Sequence, residues 1–391
     1  MTNSATTYTP PMEGGGTAAY CNYYSTIAPG EGIWPTGGTF SDLCVELTGA
    51  PGTSKSYQFT IYVNGSSTAQ TVTVSGADTI ECTAGAAASV SAGQPVSVEI
   101  IPSGTPTAVS PRISYVFNST TAGESVFVVA QGSTNMNALQ NNRRTPIPNG
   151  GSDWQINDDR RFTASTSGTL KNMYCRIGAD PDNGAGVDDY TLTIRENGAN
   201  AAITTTIADG ATTNSDTSNT IAVAAGDTYA LNQVSSGSPT ATTGGCGLVF
   251  LADTPGEWII PSGFASSSTA TVYGSMNYGT NNSTASSRDG LASIGFTVTN
   301  IYVTLASATD ADGTLAFDLF EENTTGMATT CTVGIASSTC NGTDDSTVTA
   351  LNTYEMRSIP ATTPGGLQSW IGLTGFISEA APGARRVIMV N

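Results

Sequence analysis

Apolar and polar residues alternate with a period of two along much of the chain. In the stretch YQFTIYV, Tyr57, Phe59, Ile61 and Val63 share one parity, and Gln58, Thr60 and Tyr62 the other. Such alternation predicts a strand with one buried face. It returns with Tyr190, Leu192 and Ile194 in YTLTI, and with Leu315, Phe317 and Leu319 in LAFDL. The first two strands run into Asn64-Gly65 and Asn197-Gly198, and the third into Asn323. Asn and Gly tolerate positive φ, so these pairs predict tight hairpin turns.

The spacing shows that this is a repeat. Tyr57 to Gly65, Tyr190 to Gly198 and Leu315 to Asn323 are each eight residues, and from there to Pro106, Pro239 and Pro364 is 41 in every case. One β-rich unit is used three times in tandem. Further strands are predicted at equivalent places. Phe40–Leu47, Leu170–Ile177 and Val298–Leu305 precede the repeated block, and Leu43, Met173 and Ile301 line up within them. Thr71–Val74, Ile203–Ile207 and Cys331–Ile335 read as returning strands. Val90 and the run Val96, Val98, Ile100 read as two neighbouring strands joined by a turn at Ala92-Gly93, and Ala225-Gly226 repeats the arrangement. Ile113–Phe117, Cys246–Phe250 and Ile371–Phe376 close the units.

The count, about seven or eight strands per unit, is that of a sandwich or jelly roll. The expected fold is therefore all-β, with three tandem β-sandwich or jelly-roll-like domains. The expected boundaries are an N-terminal arm at 1–18 and domains at 19–130, 131–258 and 259–391, the last divergent. The connectors Ser125–Asn149 and Glu257–Gly290 start apolar and turn polar, so part of each is expected to pair back into a sheet. The terminal RRVIMV, Arg385–Val390, reads as an edge strand of the third domain or as a strand held by a neighbour.

Composition agrees and narrows the function. Only 11% of residues are charged and 38% are hydrophobic, so cores must be covered by hydroxyl and amide surfaces. The formal net charge is −18, from 13 basic and 31 acidic residues. Such a surface repels phosphate backbones, and no nucleic-acid partner is expected. No stretch approaches the length of an apolar membrane span. Histidine is absent, which excludes His-based triads, His metal sites and the usual neutral-pH proton shuttle. Paired carboxylates of the glycosidase kind stay open on composition alone. Glu31, Glu257, Glu321 and Glu322 show no catalytic partner in the sequence.

The seven cysteines are Cys21, Cys44, Cys82, Cys175, Cys246, Cys331 and Cys340. No spacing suggests zinc or an iron–sulfur cluster. Cys44 and Cys175 lie in apolar strand patterns and read as small buried hydrophobes. Cys331 and Cys340 are spaced to staple a hairpin.

Three further groups bear on chemistry. Asp180, Asp182, Asp188 and Asp189 crowd one loop, and Asp310 and Asp312 take the equivalent place in the third unit. Such loops hold calcium or, more simply, solvated turns; no other cofactor is expected. Arg143, Arg144, Arg160 and Arg161, with Asp153, Asp158, Asp159 and Trp154, form the main charge concentration and mark a possible contact to the next domain or subunit. Trp34, Trp154, Trp258 and Trp370 read as packing residues, with sugar stacking as the functional alternative. The NxS/T sites at Asn64, Asn118, Asn282, Asn323 and Asn341 are what chance gives in a Ser/Thr/Asn-rich chain.

The blocks IAVAAGDTYALNQVSSGSPT and ASVSAGQPVSVEIIPSGTPT resemble a block of virion proteins of tailed bacteriophages, which are Gly/Ser/Thr-rich β-sandwich proteins without leaders. The first two units carry the resemblance, the third only by spacing. It implies a non-enzymatic structural component of the particle: a head decoration protein, a head fibre or a tail part. It implies major capsid or tail proteins as partners and a homo-oligomer, a trimer above all. The N-terminus MTNSATTYTPPMEGGGTAAY lacks a basic cluster and an apolar run, which fits synthesis in the host cytoplasm and release by lysis into the virion state. The alternatives are a carbohydrate- or receptor-binding tail adhesin that engages a surface glycan, a polysaccharide-degrading enzyme, and a filament or surface-layer subunit.

Overall fold

The structure is a computed structural model. It describes residues 1–12, 23–83, 87–132, 136, 143–145, 147, 154, 161–182, 184, 187–267, 269–276, 281–284, 289–310, 313–322, 325–361, 364–365, 367–377 and 385–390. The first unit contains β1 (Thr7–Thr9), β2 (Gly32–Ile33), β3 (Gly38–Leu47), β4 (Gly52–Val63), β5 (Ser66–Gly76), β6 (Ile80–Cys82), β7 (Ala88–Val90), β8 (Pro95–Ser103) and β9 (Pro111–Ser119). Then come β10 (Glu124–Val128), β11 (Arg143–Thr145), β12 (Phe162–Thr163), β13 (Gly168–Ile177), β14 (Asp189–Glu196), β15 (Ala199–Ile207), β16 (Thr213–Val223), β17 (Thr228–Ser236) and β18 (Gly244–Ala252). The last stretch holds β19 (Glu257–Ala265), β20 (Val272–Gly274), β21 (Asn281–Asn282), β22 (Gly290–Leu291), β23 (Phe296–Leu305), β24 (Thr314–Glu321) and β25 (Thr325–Val333). It ends with β26 (Thr339–Gly342), β27 (Ser346–Val348), β28 (Thr353–Ala361), β29 (Gln368–Phe376) and β30 (Arg385–Val390).

The alternating stretches form the hairpins β4–β5, β14–β15 and β24–β25. Asn64 and Gly65 both have positive φ, as do Asn197 and Gly198, which is the mirror-image turn that suits twisted strands. On the polar face, threonines bond across the strands: Thr60 with Thr71 at 3.0 Å, Thr191 with Thr206 at 2.9 Å, and Thr193 with Thr204 at 2.8 Å. The central strands β3 and β13 carry a bulge at one equivalent point, where Asp42 and Asn172 take positive φ. Asp and Asn reach that conformation at lower cost than most residues.

Each unit is two antiparallel sheets face to face. In the second unit the sheets are β10-β18-β13-β16 and β11-β17-β14-β15, with β12 also on β17. This alternation between two four-strand layers is a jelly roll. The third unit repeats it with β19-β29-β23-β26 opposite β20-β28-β24-β25, and the first with β9-β3-β6 opposite β1-β8-β4-β5. One reading from the alternation needs correction. The strands either side of Ala92-Gly93 are not neighbours, because β7 pairs with β3 in one sheet and β8 with β4 in the other. The turn arches across the sandwich; Gly93 has φ +81° and Gly226 φ +97°. Side-chain caps hold the arches, Gln94 Oε1 accepting from Ser91 N at 2.7 Å and Asp227 Oδ2 from Ala224 N at 2.9 Å. A period of two is the same for an arch and a hairpin, so the pattern cannot separate them.

Three separate apolar cores fill the sandwiches, centred on Phe40, Tyr57 and Phe59, on Leu170, Tyr190 and Leu192, and on Val298, Leu315 and Phe317. All four tryptophans are buried, Trp34 entirely, where it packs edge-on against Phe40 and Phe117. Burial of one such ring is worth about 1.5–3 kcal/mol. The N-terminal arm is docked over its described part. β1 pairs with β8, the Tyr115 hydroxyl donates to the Pro11 carbonyl, and Met12 joins the first core. Residues 13–18 lie outside the described residues.

The cysteines also need correction. Cys44 and Cys175 are buried but bonded, Cys44 to Cys82 and Cys175 to Cys246. Both bridges join directly opposed residues of adjacent strands. Cys331 is bonded to Cys340, and the bridge runs between opposing sheets, from β25 to β26, and does not staple one hairpin. Cys21 lies outside the described residues.

Sheet membership does not follow the contiguous segments 19–130, 131–258 and 259–391. β10, which follows β9 after four residues, leaves the first unit and pairs with β18 of the second. β19, which follows β18 after four residues and starts two residues ahead of 259, pairs with β29 of the third unit. The equivalent edge of the first unit, along β9, is filled by β30 from the far end of the chain. The three units thus form a closed ring.

Candidate interface: the junctions between units

Each junction is built from the same pieces. A short strand just upstream of the central strand lies across the sheet of the next unit: β2 against β18, β12 against β29, and β22 against β9. A charged residue precedes it each time: Glu31, Arg161 or Asp289. Each lies nine residues before the aligned strand residues Phe40, Leu170 and Val298.

At the first junction Glu31 is buried and its Oε2 accepts from Arg176 Nη1 at 3.0 Å. Burial pushes the Glu31 carboxyl above its usual range, and the Arg176 guanidinium pulls it partly back. Gly247 lies under this contact. A Cβ there would overlap the Ile33 carbonyl oxygen, so the close approach requires glycine. Glu124 ties the two units a second time. It accepts from Thr36 at 2.6 Å and Ser119 at 3.0 Å, and its other oxygen is 2.8 Å from Lys171 Nζ.

The second junction keeps the backbone geometry and changes the charges. A Cβ on Gly372 would overlap the Thr163 carbonyl oxygen. Thr163 Oγ1 donates to the Trp370 carbonyl at 3.0 Å, and Thr374 and Ser165 hydroxyls meet at 2.8 Å. The Arg161 guanidinium lies 5.1 Å over the Trp370 ring. Such a stack is worth about 0.5–2 kcal/mol. Thr166 donates to Glu257 as Thr36 does to Glu124.

The closing junction joins the third unit to the first. Asp289, 1% exposed, faces Arg112 at 3.1 Å, and Arg112 reaches Glu46 at 2.9 Å with its other nitrogen. Ser114 stands where Gly247 and Gly372 stand elsewhere, and its Oγ accepts from Ser293 N at 3.1 Å. Ile294 takes the place of Thr36 and Thr166.

The residues singled out by sequence scatter over this frame. Arg161 is at the second junction. Arg143 and Arg144 are on β11, paired with Gln233 and Asn232 at the edge of a sheet in the second unit. Trp154 packs in the second core. Arg160, Asp153, Asp158 and Asp159 lie outside the described residues, as does Asp312. Sequence reasoning missed Arg112, Arg176 and Asp289, and left Glu31 without a partner. The constant nine-residue offset of Glu31, Arg161 and Asp289 was the available signal.

The acidic loop organises turns. Asp180 Oδ1 accepts from Asp182 N and Gly210 N, both at 3.0 Å, and Asp188 Oδ1 from Ser238 N at 2.7 Å. Among the described residues no group of three or more His, Cys, Asp or Glu is placed to hold a metal ion. A cleft of about 380 Å³ opens at the first junction, lined by Ile33, Gly93, Tyr174, Thr213, Asn214 and Ser215. Its lining mixes the apolar Ile33, the disulfide-bonded Cys175 and the Tyr174 ring with one amide and two hydroxyls, without a charged side chain.

A scan against protein-family models finds no match for the chain. A search of curated proteins finds no match either. The fold itself defines the chain as an all-β protein of three jelly-roll units.

Proposed function

We propose that this chain is a structural protein of a bacteriophage particle, bound at its surface, with the major capsid or tail proteins as partners. The observation that carries the reading is the strand exchange: β10 completes a sheet of the second unit and β30 one of the first, each from outside that unit's own segment. Such an arrangement makes a stiff body for contact. The acidic groups buried at the junctions, Glu31, Glu124 and Asp289, are engaged in holding units together. Three disulfides suit a protein that works outside the reducing cell after lysis. The resemblance in the two Gly/Ser/Thr-rich blocks points the same way. Mass spectrometry of purified particles tests the proposal. The chain is expected at a fixed copy number, with cryo-electron microscopy placing its ring on head or tail. Its absence from particles whose host cells make it would overturn the reading. Native mass of the free protein separates a single ring from a trimer of rings.

The cleft at the first junction favours a second reading, an adhesin that takes a surface glycan. Its volume is in the range of small-molecule sites, and neutral hydroxyl and amide groups beside Tyr174 suit a sugar ring. Glycan-array binding that Tyr174→Ala abolishes would favour it.

A further inference from the structure

The edge of β9 is a place where a strand arrives from elsewhere. In the second and third units the equivalent edge, along β18 or β29, takes β10 or β19, a strand that follows the previous unit after four residues. Among the described residues, no strand ahead of β2 takes that role in the first unit. Its edge is covered instead by β30, in antiparallel register from Arg385 opposite Asn118 to Val390 opposite Ile113. An uncovered strand edge is a row of unpaired amides and carbonyls that invites pairing.

We propose that the β9 edge is a strand-accepting site whose ligand is an extended peptide of the sequence RRVIMV, supplied by the chain's own C-terminus and exchangeable with that of a second copy. Recognition is of the strand-addition kind, with main-chain hydrogen bonds giving affinity. The tether between β29 and β30 is eight residues, 377–384. A short tether holds its ligand at an effective concentration in the millimolar range. The free protein at micromolar concentration is therefore closed on itself. When closure within one chain is prevented, exchange between copies either is reciprocal and gives a swapped dimer or runs head-to-tail into larger species.

The test uses the full chain. Val116 and Val387 are opposite one another in the register. In the doubly substituted Val116→Cys/Val387→Cys protein, a bond forming within single molecules at low concentration is the expected result. A second variant, Val387→Pro/Ile388→Pro, removes the donors needed for pairing on either parity. It is expected to bind a labelled peptide of residues 384–391 at 1:1, at least 100-fold more tightly than the unsubstituted protein does. It is also expected to stay monomeric at high concentration, because no copy then carries a strand able to pair with β9. If the proline variant does not fold, the cysteine pair alone decides. No bond within the molecule, or a folded proline variant that ignores the peptide, overturns the proposal. Neither outcome touches the virion reading, which the particle composition decides separately.

Discussion

Arg112 of the first unit and Asp289 of the third are 177 residues apart and meet at 3.1 Å, both nearly buried. This pair and β30 hold the ring shut. Removing Arg112 takes away the cation that both Asp289 and Glu46 face. Arg112→Ala is expected to cost about 3–5 kcal/mol. Arg176→Ala is expected to cost less than Arg112→Ala, because Arg176 is a third exposed and water can reach the Glu31 carboxylate from its side. Denaturant unfolding of the two variants side by side checks the ranking.

Gly247 and Gly372 are fixed by the same contact in two units. An added methyl at either meets a carbonyl oxygen of the preceding unit, so the junction must open slightly. Gly247→Ala and Gly372→Ala are each expected to lose about 1–3 kcal/mol. Gly210→Ala, where a Cβ meets nothing within 4 Å but φ is +80°, isolates the backbone contribution. Thermal midpoints of the three variants would show whether contact or φ dominates.

The disulfides enclose 71, 38 and 9 residues of sequence separation for Cys175–Cys246, Cys44–Cys82 and Cys331–Cys340. Chain-entropy arguments rank their contributions in that order, with about 2–4 kcal/mol typical for one bridge. Paired Cys→Ala variants are expected to lose thermal stability in the same order. Intact mass before and after alkylation gives the number of bridges.

Asp216 accepts hydrogen bonds from Thr204 N at 3.0 Å, from Asn219 Nδ2 at 2.9 Å and from the Ser218 and Asn219 amides. Burial works against its charge, but these bonds prevail and hold its carboxyl down at about 2. A depressed carboxylate stabilises the fold above its ordinary value of 3.8 and loses that contribution as pH falls through about 2. Hydrogen exchange of the Thr204 amide is expected to stay protected at pH 4 and to open toward pH 2. Asp216→Asn is expected to remove this pH dependence.

The sequence by itself determined the units. The period of two, the Asn-Gly turns and the unbroken spacing from Tyr57, Tyr190 and Leu315 all act within some fifty residues, and local sterics and one-sided burial are enough to set them. The tertiary structure alone decided what lies beside what. An arch and a hairpin share one alternation, so only packing showed that Gly93 and Gly226 carry the chain between sheets. Cys44 and Cys175 looked like small apolar residues because their partners come from other strands. Arg112 and Asp289, or β9 and β30, are joined by a closure that no stretch of sequence records. A strand edge accepts a partner by its hydrogen-bonding groups, and every residue has those.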